Sequence, residues 1–185
     1  MKKVLTLTAA LALLIPGTAT AQRTPYAGQE TRQIKALSED EVKQYLAGAG
    51  MGYARAAELN RYPGPMHVLE LAESLALSLE QRQATQRLMD EHRAQAREIG
   101  AKLVEAERTL DRLFMSGKVE EAALAQQVKA VAALQGDYRL SHLDTHRKMR
   151  SMLTEEQVRR YEHLRGYTKD QQDQGSQQRH GTGQH

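Results

Sequence analysis

His142 and His146 stand four residues apart in the stretch Tyr138 to Gln157, which reads as helix. At that spacing two imidazoles leave one helix face about one turn apart. Given a third and fourth donor, such a pair chelates Zn, Cu, Ni or Co. Met149 follows one turn later, and its thioether favours soft Cu(I). Asp144 points away from the pair. His67, beside Met66, and His92 are the residues a fold could bring up as further ligands. His163, His180 and His185 are too dispersed to form a cluster. Two other readings stay open for the pair: local hydrogen bonding near the end of a hairpin, and proton sensing, since histidine titrates near neutral pH.

Other chemistry is thinly represented. No Ser-His-Asp arrangement, glycine-rich phosphate loop or zinc-protease motif occurs. Carboxylates alternate with Arg and Lys along the helical stretches, the pattern of a solvated, ion-paired face. The chain is therefore expected not to be an enzyme. Cysteine is absent, which excludes disulfides and thiolate chemistry. Met89, Met115, Met149 and Met152 suit either the filling of core gaps or a soft, adaptable contact surface. Arg87, Arg93, Arg97, Arg108 and Arg112 form a mixed-charge face whose aliphatic stems could also cover apolar segments of another chain.

The elements that must position these residues are helices. Trp is absent, Phe114 is the one phenylalanine, and strong helix formers dominate the 185 residues. Lys2 and Lys3, the apolar run Val4 to Ile15, Pro16-Gly17 and Ala19-Thr20-Ala21 spell a signal peptide, with cleavage expected after Ala21. That implies a periplasmic, non-inserted mature protein. Losing Lys2 and Lys3 takes 26 basic residues to 24 against 23 acidic ones, so the mature charge is about +1. A nucleic-acid partner is not expected at that charge.

Residues 22–37 read as a flexible mature N-terminus, 38–167 as a helical domain and 168–185 as a disordered tail. Within the domain, Ser38 and Glu41 form a capping box for a short helix ending at Gly48. Helix is expected over 53–60 and, after Pro65, over 66–76. An unbroken amphipathic stripe predicts one long helix from Leu79 to Met115, closed by Ser116-Gly117. A second runs from about Val119 to Ser151, and a last one from Glu155 to Arg165. The short turn makes the two long helices an antiparallel hairpin. Such a hairpin buries little apolar surface for its length, so flanking helices or a second chain must cover it.

Two helix starts share one chemistry: Leu77-Ser78-Leu79-Glu80-Gln81 and Leu153-Thr154-Glu155-Glu156-Gln157. In each, Ser78 or Thr154 caps the helix, Gln81 or Gln157 reciprocates, and Leu77 or Leu153 staples the first turns. With the signal and the hairpin, these motifs make the chain resemble the periplasmic LTxxQ proteins, the Spy/CpxP group with its ZraP-like heavy-metal resistance members, over residues 66–167. The resemblance implies an all-α, cradle-like homodimer acting as an ATP-independent chaperone or envelope-stress adaptor. Its implied partners are unfolded envelope proteins or a sensor kinase, with no cofactor required. The alternative it implies is a heavy-metal-binding sensor or resistance accessory protein. In that case Zn, Cu or Ni is bound at His142, His146, Met149 and His67.

Overall fold

The computed structural model describes residues 24–168. The expected signal peptide lies outside them, as does the expected tail beyond Thr168. Residues 24–31 form a run of turns closed by their own bonds, among them Ala27 N–H to Thr24 O at 3.1 Å and Gln29 N–H to Tyr26 O at 3.0 Å.

From Arg32 onward the described chain is helical, with six α-helices and no strands: α1 Glu39–Ala47, α2 Arg55–Glu58, α3 Pro65–Glu70, α4 Leu79–Met115, α5 Glu121–Ser151 and α6 Glu155–Leu164. The 37 residues of α4 make a rod about 55 Å long. It turns back through 116–120, with Gly117 at φ +67°, into α5, giving the expected hairpin. Three expected capping boxes are present, on Ser38–Glu41, Ser78–Gln81 and Thr154–Gln157.

Three expectations change. The helix anticipated over 53–60 is the four residues of α2. The one anticipated over 66–76 ends as α3 at Glu70. Ser78 must take the extended conformation of an N-cap (φ −63°, ψ 164°), so helix cannot run through into α4. The chain closes instead on Ala76, at φ +48°, with Leu77 N–H bonded to Ala72 O at 3.0 Å. This is a Schellman-type ending with alanine where glycine is usual. Third, 32–37 is not a loose leader. Ile34 and Leu37 are buried in the core, and Lys35 N–H donates to Asp111 Oδ1 at 3.2 Å.

The core is divided. An upper cluster joins Ile34, Leu37, Tyr45, Ala96, Leu103, Val104, Ala106, Val131 and Tyr138. A lower one joins Val68, Ala72, Leu75, Leu77, Leu88, Met149, Leu153, Val158 and Tyr161. Between them along α4 and α5 lie buried polar side chains: His92, Ser141, His142 and Thr145. The hydroxyls return their hydrogens to their own helix, Ser141 to Tyr138 O and Thr145 to Ser141 O. The histidines have no such local outlet.

α1 crosses α4 at Gly100. A Cβ there would lie 2.1 Å from Tyr45 O, so the two backbones touch. The outer face carries ion pairs such as Lys102–Glu98 at 2.6 Å and Lys148–Asp144 at 3.0 Å. Exposed pairs of this kind contribute little stability. Asp144 also pairs there with Arg147 at 2.7 Å.

The two motifs meet. Gln81 Nε2 donates to Gln157 Oε1 at 2.9 Å and Gln157 Nε2 donates to Gln81 Oε1 at 3.0 Å. Each amide also gives its other hydrogen to a backbone carbonyl just ahead of a helix start, Gln81 to Met152 O and Gln157 to Leu75 O. Each Oε1 accepts the N-cap amide of its own helix, from Ser78 and Thr154. Every donor and lone pair of both amides is used. Leu77 and Leu153 lie buried beneath the clasp.

Candidate metal centre

The polar layer opens sideways into a pocket of about 440 Å³, roofed by the loop 47–52 and walled by α3. Four histidines line it, His67, His92, His142 and His146, together with Met51, Met66 and Met89. The fold therefore gathers His67, His142 and His146 with His92. Met149 is not among the lining residues. It is fully buried in the lower cluster, where it fills core rather than offering sulfur to the pocket.

His92 Nε2 and His142 Nδ1 share one hydrogen at 3.0 Å. Their rings meet edge to face at 4.4 Å. Tyr138 lies 4.8 Å from the His142 ring, and Tyr53 stacks on it at 6.3 Å. Tyr138 is held in turn by its hydroxyl, which donates to Ala49 O at 2.7 Å. The outer nitrogens, His92 Nδ1 and His142 Nε2, are buried and have no partner. One of them is necessarily a donor and the other an acceptor, because the neutral pair has two hydrogens and uses one between the rings.

Burial pushes the pKa of both rings down to about 4, with help from nearby His146 in each case. An unfolded chain titrates its histidines near 6.5. Between these values the unfolded state takes up protons that the folded state refuses. Stability is therefore complete above neutral pH and falls as pH drops from about 6.5 towards 4. One ring accounts for about 3 kcal/mol across that window. Urea midpoints measured against pH should decline there for the wild type and more gently for His142→Asn. Parallel profiles would refute the assignment.

His146 is held by the backbone. Its Nδ1–H donates to Tyr62 O at 2.8 Å, so in the neutral ring Nε2 carries the lone pair. Gly64 makes room for that edge: a Cβ there would lie 2.9 Å from Cε1 and 3.0 Å from Nε2. His67 repeats the arrangement, with Nδ1–H donated to Glu70 Oε2 at 2.9 Å and a bare Nε2. An imidazole whose other nitrogen is tied to an oxygen acceptor is the usual form of a metal ligand. Residues 45–160 match a family model described as heavy-metal resistance.

The chain belongs to that family.

The heavy-metal resistance family is of the LTxxQ, Spy/CpxP-like type, in agreement with the resemblance carried by the two motifs. The matched span runs from Tyr45 in α1 into α6 and contains all four pocket histidines and both motifs. No curated protein and no solved structure matches the chain.

The pocket residues fit a metal by donor chemistry: neutral imidazoles, two of them oriented by acceptors, with thioethers alongside. Among the described residues, however, no three His, Cys, Asp or Glu side chains converge closely enough to hold an ion. The His92–His142 bond and the tyrosines over it join residues 53 to 142, and no local pattern announces them. His92 was expected as a candidate further ligand brought up by the fold; its bond to His142 was not.

Proposed function

We propose that this chain is a periplasmic metal-binding accessory protein of heavy-metal resistance and takes its ion in the pocket lined by α3, α4 and α5. The observation that carries this reading is the pair His67 and His146, whose acceptor-bound Nδ1–H groups leave two Nε2 lone pairs on one pocket. His92 and His142 form its floor as neutral rings. One of their outer nitrogens already carries a lone pair, and the other gains one only when its hydrogen moves and the bond between the rings is broken. No helix among the described residues is long and apolar enough to cross a membrane, which accords with a periplasmic place for the mature chain. No catalytic role is proposed.

Calorimetry of the full chain with Zn(II), Ni(II), Cu(I) and Ag(I) tests it. At least one ion should bind, and His67→Ala plus His146→Ala should weaken it about ten-fold or more. No binding by any ion, or unchanged affinity in the double variant, removes the proposal.

A second reading rests on the far end of the hairpin, where Phe114, Met115 and Val128 are exposed. That apolar surface favours contact with unfolded envelope proteins, in a homodimer or with a sensor kinase. Turbidity of a denatured client decides it. Suppression that is lost in Phe114→Ser plus Met115→Ser supports holding, and none at several-fold excess rejects it.

A further inference from the structure

We propose that the ion this pocket selects is a soft monovalent d10 cation, Cu(I) or Ag(I), held by His67 Nε2 and His146 Nε2 together with the thioethers of Met66 and Met89. This rests on the metal-binding reading above and narrows it.

Three observations point the same way. The first is coordination number. Zn(II) and Ni(II) sites call for four or more N, O or thiolate donors, and no three such side chains converge among the described residues. Soft cations accept thioether sulfur, and Met66 and Met89 line the same pocket as the two imidazoles. Met66 is 44% exposed, an unusual position for a methionine serving only to fill a core.

The second is the carboxylate supply. Glu58 is the one acidic residue among those lining the pocket, and it already accepts three hydrogen bonds. Oε1 accepts from the Tyr161 and Tyr167 hydroxyls, and Oε2 accepts from Gly64 N–H at 3.1 Å. A divalent ion seeking an oxygen ligand would find a single remaining lone pair, on an Oε2 that lies 3.6 Å from His146 Nδ1, in a carboxylate already engaged by three donors.

The third is charge. Arg55 and Arg93 line the pocket, whereas Glu58 is already approached by Arg165 at 3.9 Å. The cationic excess repels a divalent ion twice as strongly as a monovalent one at the same place.

The experiment is a titration with silver nitrate in chloride-free buffer. Ag(I) serves as a redox-inert stand-in for Cu(I), with Zn(II) and Ni(II) run alongside. Ag(I) should bind at least ten-fold more tightly than either divalent ion. In chains carrying 13C-methyl methionine, the Met66 and Met89 methyl signals should shift on binding and that of Met115, at the hairpin turn, should not. Met66→Leu plus Met89→Leu conserves volume and should weaken Ag(I) about ten-fold without changing Zn(II). Gly64→Ala keeps every donor but sets a methyl against His146 Nε2, and should also weaken Ag(I), with circular dichroism checking that the helices persist. If Zn(II) or Ni(II) binds at His67 and His146 while Ag(I) binds no more tightly, or if the methionine signals stay in place, this inference falls and the metal-binding reading stands. If no ion binds, both fall.

Discussion

Gly100→Ala should destabilise the chain by about 3 kcal/mol, although alanine is the better helix former. In an exposed helix interior the change would stabilise by about 1 kcal/mol. Here the added Cβ would lie 2.1 Å from Tyr45 O and 2.8 Å from Tyr45 C, and both are backbone atoms that no rotamer change can move. α1 would have to lift off α4 as a body. Tyr45 would leave with it, breaking its hydroxyl contact with Tyr53 at 2.8 Å and its edge contact with the Tyr138 ring at 5.2 Å. Gly136→Ala on α5 is the matched control. Nothing lies within 4 Å of its Cβ position, so it should stabilise by about 1 kcal/mol. Urea midpoints of the two variants should therefore move in opposite directions. If Gly100→Ala is as stable as the wild type, the close crossing is not present.

The second large effect is expected at the clasp. Gln81→Glu should cost about 2 to 4 kcal/mol at neutral pH. Capping boxes in general accept Glu as readily as Gln, and the Ser38 box of this chain uses Glu41. That box makes its hydrogen bonds within its own helix start, and these bonds with Ser38, with the charge of Arg32 nearby, hold the Glu41 carboxyl below its ordinary pKa. At position 81 the amide nitrogen faces Met152 O and Gln157 Oε1, both at 2.9 Å. A carboxylate would set an acceptor against two acceptors in a partly buried place. Protonation restores one donor, so the folded-state pKa of the introduced carboxyl should lie above its unfolded value. The penalty of the substitution relative to wild type should then shrink as pH falls below that raised value. Glu41→Gln, the mirror change, should stay within about 0.5 kcal/mol. Equal effects at the two positions would show that Gln81 and Gln157 act only as separate caps.

These two sites mark where the sequence could be read and where it could not. Caps were legible because their chemistry lies within four residues: Ser38, Ser78, Thr154 and Gly117 each fall at the expected end of a helix. The hairpin followed from one unbroken stripe and a short turn. The α3 boundary was missed because the apolar spacing of Val68, Ala72 and Leu75 is helical whether or not the hydrogen bonds are regular. The motif clasp, the crossing at Gly100 and the His92–His142 bond were illegible for one reason. Each joins residues at least fifty apart in the chain, and pattern reading has no access to which face meets which. The candidate site was half legible. His67, His92, His142 and His146 were singled out by type and do share a pocket, but Met149 went to the core, and the methionines lining the pocket are Met51, Met66 and Met89.

The saturated amides of Gln81 and Gln157 have a further consequence. A recognition surface needs vacancies, and this clasp has none, since any visitor would have to undo a helix cap to gain a hydrogen bond. The most diagnostic residues of the chain are therefore closed to ligands. The clasp that holds the shape and the pocket proposed for an ion lie at different places on the same two rods. The pocket side chains can change without loosening the clasp, so, on the metal-binding proposal, the choice of ion is free to drift while the architecture stays fixed.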